Sequence, residues 1–297
     1  MSALPPHDGG PEALVPARTI ATWPEGSFVE NLAIAEDGTI FVTIHPPGEI
    51  HRIDPRGGQS LFVKLPSPIA GLAFDATDNL FVTGGTPGTP GGIIWRVAPD
   101  ASYERWLDLP EAIFLNGITQ APDGGMLAVD SVRGEVLHVS TTERSHAIWL
   151  KDERLTPLPG IQGLPGVNGI KHFADRYVLS NTTRAQLYAV TIDAAGAPGP
   201  LTLLADRLRA DDIAFDTDGA LYCTTHLHYS LVKLSPDGSR VTLAGPGEGM
   251  VGSTAAAFGR TAADATSLYV TATGGVGAPY QGQLQPAKLV RLDVGKS

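Results

Sequence analysis

The stretch ENLAIAEDGTIFVT (residues 30–43) returns five more times in altered form. The copies are AGLAFDATDNLFVT from Ala70, NGITQAPDGGMLAV from Asn116, NGIKHFADRYVLS from Asn168, DDIAFDTDGALYCT from Asp211 and TAAAFGRTAADATSLYVT from Thr254. Their starts are roughly 40–52 residues apart, and several short strands per unit at such a period mark the blades of a β-propeller. Within each copy the opening phrase reads as a first strand and the apolar run (TIFVT, NLFVT, GMLAV, ALYCT, SLYVT) as a second. The turn between them often carries Asp-Gly, as at Asp37-Gly38, Asp123-Gly124 and Asp218-Gly219, a strong hairpin signal. A third strand alternates with period two (EIHRID, IIWRVA, EVLHVS, QLYAVT, SLVKLS, KLVRLD), and a fourth lies outside it (SLFVKLP, YERWLDLP, SHAIWLKD, LTLLADRL, RVTLAG). Such alternation suits antiparallel strands with one face on a core.

The ends of the chain complete the pattern. KLVRLDV is a third strand with no fourth after it, while ARTIATWP (residues 17–24) is a fourth strand with no three before it. The expected architecture is therefore all-β: a six-bladed propeller over residues 17–297, closed by the N-terminal strand joining the last blade, behind a tail at residues 1–16. Closure of this kind hides sheet edges that would otherwise pair with other chains.

Composition sets bounds on function. The chain has 297 residues, 42% hydrophobic and 18% charged, which is ample for a large core. The 35 Gly and 24 Pro are dispersed, as many tight turns require. A net charge of −10 argues against nucleic acid or an anionic membrane as partner. The single cysteine, Cys223, allows no internal disulfide and falls at a core position of the repeat. MSALPPHDGGPEAL has neither the basic segment nor the apolar run of a signal peptide, and no stretch is long enough to span a bilayer. A cytoplasmic protein acting on a small molecule is expected, with oligomeric state left open.

The chemistry is expected at the first residue of each repeat, because propeller symmetry brings those places round one axis. Four of the six hold Glu30, Asn116, Asn168 and Asp211. Taken singly they are unremarkable: Asn-Gly is a common turn dipeptide, and Glu or Asp is a common surface residue. As a set they offer four hard oxygen donors, two of them anionic, which suits Ca²⁺ with its roughly 6–8 oxygen ligands. Mg²⁺ or Mn²⁺ would also be served, whereas the lack of His or Cys disfavours Zn²⁺. Glycine- and proline-rich loops at residues 84–92 and 274–286, the HLHY turn at 226–229 and the long approach at 151–167 fall on the same face as the strand starts. Extended loops on a rigid scaffold are where pockets are built.

Motifs VENLAI, FLNGI, GVNGI and ADDIAFD, with GSTAAAFG and SLYVTATGG near the end, give the chain a resemblance to the senescence marker protein/gluconolactonase family. That family includes regucalcin and resembles diisopropylfluorophosphatase, and the likeness spans about residues 17–294. It implies one divalent metal, often Ca²⁺, on Glu30, Asn116, Asn168 and Asp211, and a hydrolase of lactones or related esters. Asp211 would be general base or nucleophile while the metal polarises the carbonyl. Asp212 is a neighbouring alternative, but aligning DDI with NGI puts Asp211 at the ligand phase. Sugar-lactonase members carry an arginine two residues before the third-blade asparagine; Phe114 stands there, and with Phe28, Leu115 and Val167 it points to a rather apolar substrate. Asp130, Asn181, His45 and His226 are further candidates to line the substrate site, the two histidines as proton shuttles. The remaining alternatives are an organophosphate or other phosphotriester hydrolase on the same residues, a metal-free cyclising enzyme like strictosidine synthase, an interaction propeller, and a calcium-binding protein without turnover.

Overall fold

The computed structural model describes residues 4–295, and its strands form six four-stranded antiparallel sheets, each in simple up-and-down order. Blade 1 comprises Val29–Ile34, Ile40–Ile44, Glu49–Ile53 and Gln59–Lys64; blade 2 comprises Ile69–Phe74, Leu80–Gly84, Gly92–Val97 and Tyr103–Leu109. Blade 3 comprises Leu115–Gln120, Met126–Asp130, Glu135–Val139 and His146–Lys151; blade 4 comprises Val167–Phe173, Arg176–Asn181, Gln186–Ile192 and Pro198–Ala205. Blade 5 comprises Ile213–Phe215, Leu221–Thr225, Ser230–Leu234 and Arg240–Ala244. Blade 6 takes Ser253–Phe258, Ser267–Ala272 and Pro286–Asp293 from the end of the chain and Ala17–Glu25 from its beginning. The fold is the six-bladed β-propeller expected, with the N-terminal strand completing the last blade. Among the described residues only three single-turn 3₁₀ helices interrupt the strands, and no helix is long and apolar enough to cross a membrane.

The described residues divide into two compact units of three blades each. Leu65–Ala210, together with the residues up to His7, carries blades 2, 3 and 4. Asp8–Lys64 and the chain from Asp211 onward carry blades 5, 6 and 1. In the first unit a core cluster packs Leu127, Val129, Val167, Ile170, Tyr177 and Leu179 between blades 3 and 4. In the second, Ala214, Tyr222, Leu268, Val270, Val290 and Leu292 fill the space between blades 5 and 6. Inner and middle strands are buried on both faces, whereas outer strands expose Leu61, Ile148 and Leu203. That gradient explains why the first two strands read as apolar runs and the third and fourth as alternating ones.

The segment expected to be a tail is in large part ordered. Ala13 and Val15 donate backbone hydrogen bonds to Thr242 and Leu243, and Thr242 donates to Pro11, so this stretch runs parallel along the outer edge of blade 5. An edge left open there would offer unpaired amides to other chains, and the N-terminal segment covers it.

Candidate functional site

Each blade's first strand carries an irregularity at its start. In blades 1, 2, 3, 4 and 6 the ladder register slips across the second and third residues: Glu30-Asn31, Ala70-Gly71, Asn116-Gly117, Asn168-Gly169 and Thr254-Ala255. Blade 5 does the same just ahead of its short first strand, at Asp211-Asp212, where Thr224 bonds both residues' backbones. A β-bulge leaves residues unpaired and re-aims their side chains, and bulges concentrate beside functional sites. Every candidate read from the repeat phase therefore sits in one.

The bulges are held by hydroxyls. Thr43, Thr83, Ser180, Thr224 and Thr271, all on second strands, accept from the backbone N–H of Asn31, Gly71, Gly169, Asp212 and Ala255 at 2.8–3.1 Å. Several hydroxyls also donate to the next blade: Thr83 to the Asn116 carbonyl at 2.7 Å, Ser131 to Val167, Thr224 to Thr254 at 2.7 Å and Thr254 to Val29 at 2.8 Å. Glycine in the Asn-Gly phrase serves this close approach rather than a turn. A Cβ on Gly71 would lie 2.4 Å from the Asn116 carbonyl oxygen, and one on Gly117 equally close to that of Asn168. The threonine that ends four of the apolar runs was visible in the sequence, but its role needed the inter-blade geometry.

In the unit of blades 5, 6 and 1, Glu30 and Asp211 are brought together, both buried, with Asp212 near enough to act on Glu30. Burial first, then repulsion from Asp211 and Asp212, pushes the Glu30 carboxyl well above its ordinary range. His226, on the turn after the second strand of blade 5, sets Nδ1 3.5 Å from Oδ2 of Asp211. Its Nε2 lies 3.0 Å from the Val276 carbonyl oxygen, an acceptor that requires N–H there. The ring stacks on Phe28 at a centroid distance of 5.7 Å, and Phe28 also contacts His45 at 5.7 Å. Burial opposes the imidazolium, but the Asp211 carboxylate and the Val276 carbonyl outweigh it, and the His226 pKa is raised. The Gly274–Gln285 loop is docked by that His226 bond and by Tyr229, whose hydroxyl donates to Ala278 at 3.0 Å and whose ring meets Tyr280 edge-on.

In the unit of blades 2, 3 and 4, Asn116 and Asn168 occupy the equivalent bulges, 2% and 5% exposed. The Asn168 amide is oriented by donating to Thr182 Oγ1 at 3.1 Å, which in turn donates to Ala210. Phe114 is half-buried immediately before the blade-3 bulge. Asp130 and Asn181, expected to line the site, are fully buried and engaged with backbone. Asp130 accepts from the amides of Ile113, Phe114, Val132 and Arg133; Asn181 donates to Arg154 and Thr156 and accepts from Thr183 and Arg184. Both fix the loops that lead into the bulges, and Asp130 in particular holds Phe114 in place.

The donor set fits a hard divalent cation. Glu30 and Asp211 supply two buried carboxylates whose mutual repulsion a cation would relieve. Among the described residues no three His, Cys, Asp or Glu side chains are grouped as a metal site, so such a cation would need neutral donors as well, as amides provide.

Fold and strand-start bulges together define a six-bladed β-propeller. No family model matches the chain. In structure it is similar to regucalcin, a calcium-binding protein of Agrobacterium tumefaciens (TM-score 0.69, 16% identity, 96% of this chain and 97% of that one). It is likewise similar to a gluconolactonase of Xanthomonas campestris (TM-score 0.68, 14% identity, 98% and 97%). At these identities the likeness is one of fold. In sequence it is 29% identical to a proposed hetero-Diels-Alderase of Sarocladium schorii, over 86% of this chain and 78% of that protein. A second proposed hetero-Diels-Alderase, from a Phoma species, is 24% identical over 90% and 89%.

Proposed function

We propose that this chain is an enzyme that activates a carbonyl or related heteroatom group of a small, rather apolar molecule, and that the bond-forming outcome is a hetero-Diels–Alder cyclisation. The observation that carries the reading is the burial of Glu30 beside Asp211 at the strand starts, which favours the neutral form of its carboxyl. A neutral carboxyl donates a hydrogen bond to a heterodiene oxygen, withdraws electron density from it and lowers the barrier to cycloaddition, an electrostatic role of the oxyanion-hole type. The cycloaddition makes two σ bonds from π electrons, with no leaving group and no net proton transfer. Asp211 and His226 pair beside the donor, and Phe28, with His226 stacked on it, offers an apolar platform for the substrate. Phe114 is taken as a further apolar contact. The relatives' names supply the reaction class, and they align along most of the chain.

The test is to incubate an α,β-unsaturated carbonyl heterodiene with an electron-rich alkene and resolve the products by chiral chromatography. The expected result is one stereoisomer enriched by the protein and lost with Glu30→Ala. A product ratio equal to that in buffer alone would dismiss the reading.

A second reading, lactone or ester hydrolysis with a phosphotriester as the other substrate class, is favoured by the hard donor set. Glu30 and Asp211, with Asn116 and Asn168, would hold Ca²⁺, or Mg²⁺ or Mn²⁺ in its place, and the bound cation would supply Lewis-acid polarisation of the carbonyl. Asp211 would then take the proton of an attacking water, or attack itself, while His226 orients its carboxylate. Calcium titration of the wild type against Asn168→Ala, alongside hydrolysis of aliphatic and aromatic lactones, separates the readings: equal calcium affinity in both proteins and no chelator-sensitive turnover would leave cyclisation alone.

A further inference from the structure

At the far ends of the same strands from Glu30, where blades 1 and 6 turn, lies a cavity of about 220 Å³. This is smaller than the roughly 300–1,000 Å³ of drug-sized ligand pockets, so it suits an ion or a very small molecule. Its floor is apolar, made by Ile20, Ile40 and Ile53, and three arginines surround it: Arg18 from the N-terminal strand, Arg56 from the turn of blade 1, and Arg291 from the strand before closure.

The placement of these charges is unusual. Arg18 and Arg291 are direct cross-strand partners in the antiparallel pair that closes blade 6, and like charges facing each other across a ladder are destabilising. Asp54 feels the charge of Arg56, and Asp264 that of Arg291, but the hydrogen bonds of both carboxylates go elsewhere. Asp264 accepts from the Thr261 amide and hydroxyl and from the Tyr269 hydroxyl. Asp54 accepts from the amides of Arg56 and Gly58. Arg291 is aimed by its Nε bond to Ser267 Oγ at 2.9 Å. Among the described residues neither the Arg18 nor the Arg56 guanidinium has a hydrogen-bond or ion-pair partner, in a chain that is acidic overall. Three arginines against two carboxylates leave the cavity lining net positive, and guanidinium is the side-chain group best matched to tetrahedral oxyanions.

We propose that this cavity binds a small oxyanion of the phosphate class, held by Arg18, Arg56 and Arg291. The site is separate from the strand-start site and stands whatever reaction occurs there. The bound anion bridges Arg18 and Arg291 and removes their repulsion, so it also strengthens the pairing of the N-terminal strand.

Isothermal titration calorimetry with inorganic phosphate at low ionic strength tests this, since salt screens partly exposed charges. Saturable binding by the wild type is expected, displaced by sulfate but not by chloride. The Arg18→Ala/Arg56→Ala variant alters two exposed side chains, so the fold is retained, and its phosphate affinity falls by about tenfold or more. Glu30→Gln leaves phosphate affinity unchanged. Absence of saturable binding, equal affinity in the double arginine variant, or loss of binding in Glu30→Gln would each overturn the assignment.

Discussion

Glu30 and His226 both weaken the fold as pH rises, each through its own range. Because burial and the Asp211 and Asp212 carboxylates raise the Glu30 pKa, folding disfavours its ionisation, and this penalty grows as pH climbs above the unfolded carboxyl value of about 4.3. Glu30→Gln removes the penalty, so its melting temperature should exceed the wild type's by about 2–4 °C per kcal/mol relieved at pH 7, and match it at pH 4. Thermal unfolding at the two pH values, without added divalent ions, checks this. His226 has its pKa raised against the cost of burial by Asp211 and Val276. Its stabilisation is fully present below the unfolded histidine value of about 6.5 and is lost as pH rises through the folded value. Wild type should therefore exceed His226→Gln in stability at pH 6, with the gap closing by pH 9, as urea denaturation would report. The repeat phase was enough to pick Glu30 and Asp211 from the sequence. The pairing of His226 with Asp211 was not legible, because it depends on where a left-handed Tyr229 (φ 54°) sends the turn after the second strand.

The blade's first strand is the element that builds the site, and its bulge is the feature on which that depends. Gly117 is required there because the Asn168 carbonyl of the next blade lies where a side chain would start. Gly117→Ala should cost about 1–3 kcal/mol, as overpacking in a filled interior does, and guanidinium denaturation should register it as a lower midpoint at unchanged slope. Gly124→Ala meets no neighbouring atom, and its cost comes only from a backbone φ of 86°, which separates packing from conformational strain. Blade count, strand order and the phase of the candidate residues could all be read from the repeats, since periodic burial leaves a periodic sequence. Bulges were hidden because they arise between strands. In sequence the same Asn-Gly pair reads as a turn. Asp130 and Asn181 were misleading for a related reason: a polar residue at a strand end can serve backbone amides as readily as a ligand, and only their hydrogen bonds tell the two apart.

For the molecule as a whole, closure rests on a strand from the opposite end of the chain. Ala17–Glu25 pairs along the length of Pro286–Asp293, and Pro11–Val15 continues beside blade 5. Removing residues 1–25 would uncover two sheet edges at once. The truncated protein should melt well below the full chain and self-associate, with light scattering and size-exclusion chromatography as readouts; a monodisperse, equally stable product would show that the edges are protected by other means. The two units also differ in how their chain is supplied. Blades 2 to 4 come from one continuous stretch, Leu65–Ala210, whereas blades 5, 6 and 1 need both Asp8–Lys64 and everything from Asp211 on. On the ribosome, blades 2 to 4 can therefore complete while the polypeptide is still being made. Ala17–Glu25 must wait for its partner until Pro286–Asp293 has been translated.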